Sequence, residues 1–157
     1  MSPIHRTAAV AIAVVFLLVS ATGAMAGDGR SFRATFAGTA ATDGLGTSTF
    51  VGSGQASHLG HISTMGQAVA SGPAASCAGG VANINDETLE APDGSTLTIR
   101  SDDDACPTGP YQFHGTGTWT VVAGTGRFAH TRGSGFLAGG VDFAAGTFSV
   151  TLQGVLD

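Results

Sequence analysis

Apolar and polar residues alternate with a period of two along much of the chain, the pattern of a strand that buries one face. Between residues 31 and 37, Phe32, Ala34 and Phe36 share one face, with Arg33 and Thr35 on the other. Leu97 and Ile99 alternate with Thr96, Thr98 and Arg100. Over residues 113–122, Phe113, Trp119 and Val121 oppose His114, Thr116, Thr118 and Thr120. The cleanest run puts Phe148, Val150 and Leu152 inward and Thr147, Ser149, Thr151 and Gln153 outward. Weaker alternation marks residues 47–53, 62–70, 81–89 and 133–141, giving about eight strands.

Turn chemistry separates these runs. Thr42-Asp43-Gly44, Pro92-Asp93-Gly94 and Ala145-Gly146 read as short hairpin loops. Consecutive strands joined by tight turns imply antiparallel, up-and-down connectivity, and eight of them can close into a barrel without exposed edges. A two-sheet sandwich is the alternative closure of the same strands. No long helix is expected; residues 126–131 are the best place for a short one.

Composition supports the all-β reading: 25 glycines in 157 residues lower helical propensity, and 43% hydrophobic residues argue against disorder. The first 26 residues read as a cleavable secretory signal, with Arg6, an apolar run from Ala8 to Val19, and Ala24-Met25-Ala26 at the cleavage point. The mature chain, residues 27–157, is then a single exported domain. At 12 residues the apolar run is too short to span a bilayer. Formal charge is −5 with no lysine anywhere, so neither nucleic acid nor an anionic membrane surface is expected as a partner. Oligomeric state is not readable from the chain.

Residues 71–80 and 101–110 look like loops, and each holds one cysteine. In an exported protein these two most simply pair, as Cys77–Cys106. Asp102-Asp103-Asp104 opens like a calcium loop, but the twelfth position is Phe113 instead of glutamate, so a solvated acidic loop is expected. His58 and His61 could share a metal only across a turn, since residues three apart on a strand face opposite ways. No metal and no cofactor is expected.

Val121-Val122-Ala123-Gly124-Thr125-Gly126-Arg127-Phe128-Ala129, followed by Arg132-Gly133-Ser134-Gly135, resembles a recurring segment of plant dirigent proteins and allene oxide cyclases. The chain is also similar to small secreted bacterial proteins of that barrel superfamily, which carry a His-Leu-Gly segment like His58-Leu59-Gly60. Ala123 departs from the usual first glycine of the turn. The resemblance implies a calycin-like barrel whose apolar lumen holds a small hydrophobic molecule, either for binding or for cofactor-free cyclisation or isomerisation. It transfers no catalytic residue, because the shared residues form the turn. In physical terms Gly124 and Gly126 permit a tight turn, and Phe128 can fold back to plug a barrel end.

Candidates for the lumen come from strand parity. Asn83, Asn85 and Glu87 share a face with Val81 and Leu89, so polar groups point where the core is expected. A buried Glu87 carboxyl would titrate high and serve as a general acid or base, unless a bulge at Asn85-Asp86 turns it to solvent. Asn83, Asn85, His58 at the rim, Tyr111 and Trp119 complete the candidate ligand-binding set, Trp119 being equally suited to plain core. The leading expectation is a secreted protein that binds a small apolar molecule in its barrel. The alternatives are a cyclase or isomerase using the same cavity, and a structural or interaction barrel with a filled lumen.

Overall fold

The computed structural model describes residues 29–157; the expected signal peptide, residues 1–26, lies outside them. Eight antiparallel strands close into one barrel in chain order: β1 (Arg30–Thr42), β2 (Thr47–Ala56), β3 (Gly60–Pro73), β4 (Val81–Glu90), β5 (Thr96–Gly109), β6 (Gln112–Gly124), β7 (Gly133–Asp142) and β8 (Thr147–Leu156). Closure is made by β1 against β8, with Phe36 opposite Val150 and Ala34 opposite Leu152. The up-and-down barrel is therefore the fold, and the sandwich is excluded. Among the described residues no helix is long and apolar enough to cross a membrane. The one helical turn among the described residues is Gly126–Phe128.

Alternation drives the architecture. In β1 Phe32, Ala34 and Phe36 are buried while Arg33 and Thr35 are exposed, and the same alternation runs through the other strands, interrupted by register shifts between Ala70 and Gly72 on β3 and between Thr98 and Ile99 on β5. The inward residues do not fill the barrel evenly. One end is solid, packed with Phe32, Leu59, Ile62, Leu89, Leu97 and Trp119. Phe128 covers that end, folded back by the β6–β7 turn as the sequence suggests. Thr125 locks the turn onto β5: its N–H donates to Thr96 O at 2.9 Å, and its hydroxyl accepts from Thr96 N at 3.0 Å.

Two expected loops are corrected. Residues 101–109 continue β5, those up to Ala105 paired with β4 on one side and β6 on the other, so Asp102, Asp103 and Asp104 are strand residues. Residues 71–73 likewise belong to β3. A strand flanked on both sides by ladders keeps its backbone groups bonded, and that outweighs the loop-like composition of the acidic run. Cys77 and Cys106 are joined as expected, Cα atoms 5.9 Å apart, and this bond ties residues 74–80 to the end of β5. Asp104 reinforces the tie by accepting from Ala75 N and Ser76 N at 3.1 and 2.9 Å.

Candidate functional site

At the end opposite Phe128 the lumen is open. A cavity of about 240 Å³ descends from the mouth, small beside the roughly 300–1,000 Å³ of drug-sized ligand sites. Its walls are mainly apolar. Phe36, Phe50 and Phe148 form a cluster, with Phe148 edge-on to Phe50 at 5.1 Å and to Phe36 at 6.2 Å. Phe113 and Phe143, 6.2 Å apart, stand nearer the mouth.

The polar groups are concentrated on β4 and β5. Asn83, Asn85 and Glu87 all face the lumen, as parity requires, and no bulge intervenes in the pairing of β4 with β5. Asn83 stands opposite Asp103, Asn85 opposite Ser101, and Glu87 opposite Ile99. Asn85 donates to Ser101 Oγ at 3.1 Å and to Asp103 Oδ1. The result is a polar stripe that runs from the mouth down to Glu87.

Glu87 lies deepest and is 9% exposed. Thr64 of β3 donates its hydroxyl to Oε1, and among the described residues Oε2 has no hydrogen-bond partner. Room for that oxygen comes from Gly66, the cross-strand neighbour of Glu87, where a Cβ would stand 2.5 Å from Oε2. Burial raises the carboxyl to about 7, and the Thr64 bond only partly opposes this. Asp103, half-buried, is also raised by desolvation, against hydrogen bonds from Asn85 and Asn83. On the outer face Asp86 is held low by Arg100, whose Nε and Nη2 each lie 2.8 Å from a carboxylate oxygen.

Three sequence candidates lie elsewhere. His58 sits in the β2–β3 turn at the solid end, with φ of 67° and Nε2 3.0 Å from Ser31 O, so it is not on the rim of the cavity. Trp119 is core beneath the cavity: it is 1% exposed, packs edge-on to Phe32 and donates Nε1–H to Phe136 O at 3.0 Å. Tyr111 is in the β5–β6 turn at the open end, yet it is 70% exposed and does not line the cavity.

Asp103 and Ser101 are lumen residues that sequence reasoning missed. Extending the Leu97 and Ile99 parity by two steps reaches Ser101 and Asp103, and both line the lumen. Gly115 on β6 gives a second signal, since a Cβ there would stand 2.8 Å from Asp103 Oδ2. Comparison of the chain with protein-family models, curated proteins and solved structures finds no match.

Proposed function

We propose that this is an exported protein that binds a small, largely apolar molecule in the barrel lumen, oriented by the β4–β5 polar stripe. The observation that carries the reading is the contrast between the two ends: one is sealed by Phe128 and the core beneath it, while the other opens into a cavity lined by phenylalanines. An apolar wall supplies affinity and a few polar groups fix orientation. Export fits the signal-like residues 1–26 and the Cys77–Cys106 bond. The reading agrees with the resemblance to the allene oxide cyclase and dirigent barrels, whose function also lies in the lumen.

A second reading, a cofactor-free isomerase or cyclase, is favoured by Glu87. A carboxyl titrating near neutrality at the floor of an apolar cavity can take a proton from a substrate and return it at another position. Native mass spectrometry of the protein recovered from its producing host tests binding and separates the two. Binding predicts a retained, chemically unchanged small molecule that is absent from Ser48→Trp, a variant that fills the half-buried mouth position. A retained molecule of identical mass in both proteins would place it outside the lumen and sink the reading.

A further inference from the structure

Among the described residues the lumen presents carboxylates and no cationic side chain. None of the described residues lining it is arginine, lysine or histidine, whereas Glu87 and Asp103 both face it. Around Glu87, β3 presents Thr64, Gly66 and Ala68, and β5 presents Ile99, Ser101 and Asp103. Across the lumen stand Phe36 of β1, Phe50 of β2, Phe113 and Gly115 of β6, Leu137 of β7, and Phe148, Val150 and Leu152 of β8. Asp103 is thus the other titratable group facing the cavity. The Arg100 guanidinium, next in sequence to the lumen residue Ile99, is engaged by Asp86 on the outside of the barrel.

A nine-tenths-buried carboxylate that lines a cavity, holds one hydrogen bond and has no counter-ion is an arrangement that a bound cation completes. The facing phenylalanine rings favour the same occupant, because their π-faces attract ammonium groups. An anionic molecule would instead meet two carboxylates. A metal ion is the poorer fit, since no group of three or more His, Cys, Asp or Glu side chains converges among the described residues.

From this juxtaposition we infer that the lumen takes a small organic amine in its ammonium form, the nitrogen paired with Glu87 and the apolar body against the phenylalanine wall. Asp103, four residues nearer the mouth on the adjoining strand, adds a negative potential that draws the cation inward. The inference rests on the lumen-binding reading and specifies its ligand class.

Calorimetric titration with three probes that share a phenylethyl body tests it: 2-phenylethylamine, the neutral 2-phenylethanol and the anionic 3-phenylpropionate. At pH 8 the amine should bind at least about tenfold tighter than the alcohol. Its affinity should fall about tenfold at pH 6, as Glu87 takes up its proton, while the alcohol changes little. Glu87→Gln should remove both the preference and the pH dependence, and Asp103→Asn should weaken binding while keeping that dependence. The pH series on the wild-type protein needs no variant to fold. Equal affinity for amine and alcohol at both pH values, or tighter binding of the propionate, overturns the cation inference and leaves lumen binding standing. Failure of all three probes to bind overturns both.

Discussion

Glu87 couples its own titration to the stability of the barrel. The folded protein holds this proton up to about pH 7, whereas an ordinary glutamate releases it near 4.5. Between those values the folded state binds more protons than the unfolded chain, so stability falls as pH rises through the window and levels off above it. The loss by pH 8 is roughly 3 kcal/mol. Glu87→Gln should therefore gain stability over wild type on going from pH 4 to pH 8 by that order, read from urea denaturation at the two pH values. Parallel curves would show the carboxyl to be solvated. Carboxylates held low by backbone hydrogen bonds, such as Asp43 and Asp142, act in the opposite sense at acid pH and are common to both proteins. Parity made Glu87 visible in the sequence because an acidic residue on the face of Val81 and Leu89 has few explanations.

Hairpin geometry governs the next scale. Turns of an up-and-down barrel alternate between its ends, so the β2–β3, β4–β5 and β6–β7 turns share the end that Phe128 plugs. That rule assigns His58 to the solid end from strand order alone, and aromatic and histidine content misdirects where strand counting does not. The reach of β5 was harder to read: three aspartates followed by Cys106 and Pro107 have loop composition, and only the ladders to β4 and β6 keep them extended. The β6–β7 turn was legible because its residues have local reasons. Gly126 has φ of +55°, and a Cβ there would overlap Ser95 Oγ, which also accepts from Arg127 N at 3.3 Å. Gly126→Val should destabilise the fold by about 2 kcal/mol or more, seen as a lowered thermal midpoint, because a β-branched residue is strained at positive φ. An unchanged midpoint would mean that the turn does not hold the closed end.

The barrel is a one-ended vessel. Large side chains fill the half beneath Glu87, while Ala68, Ala70, Gly115 and Gly139 keep the upper half hollow. The bond from Cys77 to Cys106 secures the open end, where residues 74–80 would otherwise be held by few contacts. The two cysteines are 29 residues apart, and closing a loop of that length contributes roughly 3.5 kcal/mol in the chain-entropy picture. Strand alternation revealed the barrel, but not which half is hollow, since that depends on the summed volumes of side chains from all eight strands. Methyl NMR shift mapping with 2-phenylethanol, an uncharged probe, tests the lumen as a binding site most directly. Shifts confined to Ala68, Ile99, Leu137 and Val150, and abolished in Ser48→Trp, are the expected result. Shifts centred on the exposed outer residues Val51 and Met65, or none at saturating probe, would contradict it.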